Sequence, residues 1–339
     1  MIDDIFIFDG VVHVIDWSLA FEKSPGEDPS AGETEREKAI NLAQRVTGNV
    51  FDFSPMLQGE PPDAMKGSPA ANYEVIFGQS PTDMAMVGSL PVEPTAGDVD
   101  PSIRLNHAFA SAYPERCLFT GGVQPHGQPL SAALESMEYQ VKELNAQSMK
   151  FYPFHWHCDD EEVAYPLYEK CRELGIDVLQ FHLCLPADSS HNVEMQRPNG
   201  LQNPARDFPD LTFVMHHPTA LYFDETVSIV QRFPNIHLLV SPLVQMALIK
   251  PRPVLKMFGE LLQQVGSRKL IYGSEGAMGG NPTKYIEAVL DLEMPDDLRE
   301  GYGYPEVTRE DKENILGLNM ARLFDVDVEA RLAEIERSR

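Results

Sequence analysis

Residue types that bind metal ions or move protons recur at the ends of apolar runs in this chain. His13 stands near the end of Ile5-Phe6-Ile7-Phe8-Asp9-Gly10-Val11-Val12-His13-Val14, and His182 closes Val178-Leu179-Gln180-Phe181. His216 and His217 close Leu211-Thr212-Phe213-Val214-Met215, Glu275 follows Leu270-Ile271-Tyr272-Gly273-Ser274, and Lys150 lies in Met149-Lys150-Phe151-Tyr152. Imidazole nitrogens with one carboxylate suit a divalent metal, zinc or iron or manganese, and an open position on it binds water or dioxygen. Such an ion lowers the pKa of its water or polarises a substrate oxygen. One histidine at a strand end is ordinarily a hydrogen-bonded structural residue; the same placement on several separate runs argues for a centre.

For the neighbours His216 and His217, a strand's pleat sends successive side chains to opposite faces. One of the two is therefore expected to face inward, and His217 is the candidate. A second group is Phe154-His155-Trp156-His157-Cys158-Asp159-Asp160. On an extended loop, His155 and His157 point the same way, towards a second metal or a substrate carboxylate, or else form a solvated tip. Cys184, two residues after His182, reads as a rim or core thiol, with a soft metal ligand as the alternative.

Residues so distant in sequence converge only if their strands run parallel and end on one rim, which is the geometry of a (β/α)8 TIM barrel. Strand-like and helix-like runs alternate accordingly. Further strands are expected at Met84–Gly88, Cys117–Val123 and Ile236–Val240, with helices over 161–174, 225–233 and 254–265. Residues 17–80 break the rhythm, rich in Pro, Gly, Asp and Ser around one helical stretch from Glu33 to Val46. They read as an insertion after strand 1 that covers the active-site mouth as a lid. Residues 300–339 read as a helical tail packed outside the barrel, so the 339 residues form a single domain.

Composition narrows the partners. With 52 acidic against 27 basic side chains the net charge is -25, which repels phosphate backbones and anionic membranes and makes nucleic acid an unsuitable partner. No window approaches the roughly 18 consecutive apolar residues of a membrane span, and the start of the chain lacks the pattern of a signal peptide. The four cysteines form no CxxC pair. Together these readings lead us to expect a cytoplasmic protein with a small-molecule substrate. Gly273-Ser274-Glu275-Gly276 is one residue short of a nucleophile elbow, and Walker and dinucleotide fingerprints are absent, so serine hydrolysis and nucleotide chemistry fall away.

These residues resemble the amidohydrolase superfamily, in its branch of metal-dependent TIM-barrel hydrolases and decarboxylases, over nearly the whole chain. Asp9 and His13 match the Asp and second His of that branch's Asp-x-His-x-His opening, and Met149-Lys150-Phe151-Tyr152-Pro153 is similar to its strand-four Lys motif. Gly175 to His182 resembles its strand five, Phe208-Pro209-Asp210-Leu211 through His217 its strand six, and Leu270 to Glu275 its strand eight. Gly301-Tyr302-Gly303-Tyr304-Pro305 with Asn319 and Arg322 is similar to the tail of one sub-branch. Two positions depart: Val11 stands where the family has its first histidine, and Glu275 where it has aspartate. Valine cannot bind a metal, so His155, His157, Asp9 or Asp16 would have to compensate, or Glu275 reach differently.

The resemblance implies a metal-dependent hydrolase or decarboxylase acting on a small carboxylate or amide. His13, His182 and Glu275 would hold one or two ions, His217 would serve as base or further ligand, and Lys150, His217 and Glu275 would form the catalytic set. The altered strand-one ligands leave two alternatives, a dinuclear iron or iron-manganese oxygenase and a non-catalytic subunit paired with an active paralogue. Barrels of this type pair, so a homo-oligomer, or a hetero-oligomer with a related chain, is expected.

Overall fold

The computed structural model describes residues 2, 4–16, 63–90, 101–184, 192–217, 221–276 and 280–338. The Glu33–Val46 helix and most of the expected lid lie outside these residues. Eight parallel strands follow one another around the sheet in chain order: β1 (Phe8–Val12), β2 (Met84–Gly88), β3 (Cys117–Val123), β4 (Ser148–Phe151), β5 (Val178–His182), β6 (Thr212–His216), β7 (Ile236–Leu239) and β8 (Leu270–Ile271). Helices fill the crossovers: α1 (Pro69–Tyr73), α2 (Pro101–Ala112), α3 (Leu130–Lys142), α4 (Ala164–Leu174), α5 (Gln202–Asp207), α6 (Phe223–Val230), α7 (Pro251–Gln264) and α8 (Thr283–Leu290). This is the expected TIM barrel. The 161–174 helix begins at Ala164, because Asp160 Oδ1 accepts from the Glu162 and Val163 N–H groups and holds 161–163 as a turn.

Closure between β8 and β1 is sparse. The Gly10 N–H donates to Tyr272 O at 2.9 Å, Val12 bridges Gly276, and the Ser274 N–H donates to Asp9 Oδ1 at 2.9 Å. A carboxylate thus does the work of a ladder carbonyl where β1 carries an irregular register between Asp9 and Val12.

Strands buried on both faces read as unbroken apolar runs, and here the two faces carry different layers. Outward residues such as Val12, Val87 and Phe119 pack on Ile103 and Phe109 of α2. Inward, Phe8, Met84, Met86, Leu118, Val178, Val214, Leu239 and Ile271 fill the lower barrel. The tail packs on the outside and also seals the floor: Met320, Ala321 and Ile335, the last from α9 (Val328–Ser338), join that inner cluster. Gly317 has no room for a side chain, since a Cβ there would stand 2.2 Å from Phe6 O. The apolar filling below leaves the upper rim to the polar side chains.

Candidate metal centre

Above the apolar floor lies a buried polar layer that periodicity explains. On β5, Gln180 shares the inward face with His182, and on β4 Ser148 shares it with Lys150. Gln180 Nε2 donates to Thr120 Oγ1 and Ser148 Oγ, both at 2.8 Å, and the two hydroxyls bond to each other. With its amide nitrogen so committed, Gln180 Oε1 accepts from His216 Nε2 at 2.8 Å. A polar group buried this deeply is stable only when its hydrogen bonds are made.

The next layer holds the strand-end residues. His13 is 1% exposed, Lys150 1%, His217 3%, Glu275 4% and His182 9%. His13 Nδ1 donates to Gly88 O at 2.5 Å, which leaves the lone pair on Nε2; Lys150 Nζ donates to that nitrogen at 3.4 Å, and Glu275 Oε2 stands 3.6 Å from it. His217 Nδ1 donates to Ser241 O at 3.1 Å and lies 3.8 Å from Glu275 Oε1, so its Nε2 is likewise the lone-pair nitrogen. Ser241 Oγ donates to the same Glu275 oxygen at 3.0 Å. The His182 ring meets the His217 ring edge-on at 4.5 Å and stacks on Tyr152 at 5.6 Å.

Backbone geometry aims two of these groups. His217 and Glu275 follow β6 and β8 in the left-handed region, at φ 60° and 58°. Non-glycine residues there cost on the order of 1–3 kcal/mol and cluster at functional sites. The left-handed turn overrides the pleat, and one donor atom from each of His216, His217 and Glu275 lies within 4.8 Å of the others. Both neighbouring imidazoles therefore turn inward, where alternation along a strand predicts one. Gln245 holds the Glu275 loop from behind, its Nε2 donating to the Gly273 and Ser274 carbonyls at 3.0 and 3.1 Å.

Electrostatics keeps the imidazoles neutral. Burial, then the Lys150 charge, brings His13 and His217 down to about 3, and burial pushes His216 well below the usual histidine range. Burial also lowers Lys150 to about 8, opposed by Glu275. Neutral imidazoles with tautomers fixed by carbonyl acceptors, around a buried carboxylate, are what a divalent ion requires. His13 and Glu275, 3.6 Å apart beside the Lys150 ammonium, are residues that would hold such an ion. The donor set fits a metal.

The other candidates are placed elsewhere. Asp9 sits on the barrel seam: its Oδ1 accepts from the Val11 and Ser274 N–H groups, and burial raises it to about 7. His155 and His157 are exposed, and His155 stacks on His126 of the β3 loop at 4.0 Å between centroids. Asp16 bridges Lys66 through the backbone. Cys184 is buried beside Thr226 of α6, its thiol pushed up to about 12 by burial. Val11 packs into the inner apolar cluster, against Gly273 and Leu239. Sequence reasoning missed Gln180, Ser241 and Gln245; a polar residue two before His182 on an apolar strand signals the first, whereas nothing in the local sequence marks the other two.

Residues 24–326 match the family model described as amidohydrolase. The chain belongs to the amidohydrolase family. An uncharacterized TIM-barrel protein from Bordetella bronchiseptica shares 18% identity, with 95% of this chain and 98% of that one covered and a TM-score of 0.65. 5-Carboxyvanillate decarboxylase from Novosphingobium aromaticivorans, solved with manganese and 3-methoxy-4-hydroxy-5-nitrobenzoic acid, shares 13%, covering 95% and 97% at a TM-score of 0.58. 4-Oxalomesaconate hydratase from Rhodopseudomonas palustris shares 15%, covering 98% and 99% at 0.54. At these identities the likeness concerns the fold. No curated protein matches the chain. Members of the amidohydrolase family typically bind a divalent metal. Among the described residues no helix is long and apolar enough to cross a membrane.

Proposed function

We propose that this amidohydrolase is a divalent-metal-dependent hydrolase or decarboxylase acting on a small carboxylate or amide. The observation that carries the reading is one buried carboxylate, Glu275, set between two buried neutral imidazoles: the lone-pair Nε2 of His13 stands 3.6 Å from its Oε2, and His217 Nδ1 lies 3.8 Å from its Oε1. Bound there, the ion would activate water or polarise a substrate oxygen. Gly88 and Ser241 carbonyls fix which nitrogen each imidazole offers. Lys150, a buried ammonium, is placed to pair with a substrate carboxylate and orient it. Glu275, its Oε1 steadied by Ser241 Oγ, is the carboxylate nearest to the imidazoles and the group to accept a proton at Oε2. His182 is the most exposed of the ring of ligand types and, with the Tyr152 and Phe154 rings beside it, forms the wall a substrate meets.

Elemental analysis of protein purified without chelators, followed by assay of the zinc, manganese and iron forms on a panel of aromatic and aliphatic carboxylates and amides, tests this. Near one bound equivalent with water-dependent cleavage or CO2 release supports it. Two equivalents of iron or manganese with dioxygen uptake would replace it with the oxygenase, and no bound metal with no turnover would leave the non-catalytic subunit.

A further inference from the structure

The polar layer above the apolar floor contains a buried imidazole that the reading above does not use. His216 is fully buried, and its Nε2 donates to Gln180 Oε1. Its Nδ1 is buried and, among the described residues, has no hydrogen-bond partner. The proton cannot be moved to satisfy it. Gln180 Oε1 is fixed as an acceptor because Gln180 Nε2 already donates to Thr120 and Ser148, so Nε2 of His216 must carry the hydrogen. A lone pair sealed from water with nothing to accept costs on the order of 1–3 kcal/mol. The same imidazole lies in the cluster whose donor atoms stand within 4.8 Å, together with His217 and Glu275. Val11 on β1, which stands where the resemblance places a ligand histidine, is an apolar side chain in the inner cluster and offers no donor atom.

We infer that His216 is a metal ligand through Nδ1, a β6 histidine that takes over from the missing β1 histidine, with Gln180, Thr120 and Ser148 setting its tautomer. This rests on the metal-dependent reading. It moves the ion's seat towards β6 and β8, and it makes Gln180 a positioning residue.

Two substitutions separate ligation from packing. Glutamine extends an amide to the Nε2 position and asparagine places one near Nδ1. His216→Gln therefore keeps a donor for Gln180 Oε1 without the ligand, and His216→Asn offers a weak ligand without that bond. The metal-free proteins are titrated with Co(II), followed by visible absorption and chelator competition. His216→Gln is expected to bind Co(II) more than about 100-fold more weakly than the parent chain, beyond the 10- to 100-fold range of an outer-shell partner. His216→Asn should fall between the two, and the thermal midpoint of metal-free His216→Gln should be at or above that of the parent chain, since the unanswered Nδ1 is gone. Unchanged affinity and spectrum in His216→Gln would overturn the inference while leaving metal binding by His13, His217 and Glu275 intact. A parent chain that takes up no Co(II) would overturn both. In the parent chain loaded with Zn(II), histidine 15N NMR is expected to show His216 protonated at Nε2 and metallated at Nδ1. A proton on Nδ1 refutes the inference without recourse to any variant.

Discussion

Replacing Asp9 by asparagine should stabilise the barrel, and increasingly so as the pH rises. Asp9 is fully buried on the β1–β8 seam, with Oδ1 accepting two backbone N–H groups. Its Oδ2, Ser274 Oγ and Tyr272 Oη are buried together, and the Ser274 hydroxyl interaction offsets only part of the cost of burying the carboxyl. Burial raises the carboxyl from 3.8 to about 7. The folded chain thus holds a proton that the unfolded chain releases near pH 4. Stability from this group is complete below the unfolded value and is lost as the pH climbs to the folded value. Three pH units at about 1.4 kcal/mol each set the loss at roughly 4 kcal/mol between pH 4 and 7. Asparagine keeps the acceptor and carries donor hydrogens in place of the acid proton, so its stability lacks this slope. Urea unfolding of both proteins at pH 5, 6, 7 and 8 measures it: the advantage of Asp9→Asn should grow up to about pH 7 and then level. An advantage that is constant with pH, or a variant less stable at pH 8, would refute the seam as an uncompensated carboxyl. Loss of metal uptake in Asp9→Asn would return Asp9 to the ligand set.

Other perturbations test the site and its support. Gly317→Ala drives a Cβ into Phe6 O and should cost about 1–3 kcal/mol in urea unfolding, as overpacking does; an unchanged midpoint would contradict the tight seating of the tail. Lys150→Met keeps the apolar stem and should raise KM for a carboxylate substrate at least about thirtyfold, the lower end for truncating a buried charge pair at 2–5 kcal/mol; equal loss for an amide lacking a carboxylate would argue against a role in orienting substrate. Glu275→Gln should lower metal content in elemental analysis, and full occupancy would exclude Glu275 as a ligand. Chelator treatment should lower the thermal midpoint reversibly, as expected for an ion worth about 2.7 kcal/mol at a free concentration 100-fold above its Kd; an unchanged midpoint would mean the folded state holds no ion.

The amino-acid sequence alone determined the barrel and most of its rim. Apolar runs such as Met84–Gly88, Cys117–Val123 and Val178–His182 are strands end to end because side chains buried on both faces leave no other period. His13, His182, His217 and Glu275 were legible for the same reason, as ligand-type residues at the ends of those runs. What tertiary structure decided is which nitrogen faces which oxygen. The left-handed turn at His217 brings His216 and His217 to one side, and alternation along a strand cannot show a turn that only packing enforces. Asp9 is drawn onto the β1–β8 seam by an N–H that lies 265 residues away in the chain. The His216 proton is assigned through Gln180 by hydroxyls on two other strands. These are long-range hydrogen bonds, whose partners are chosen by barrel register and not by local sequence.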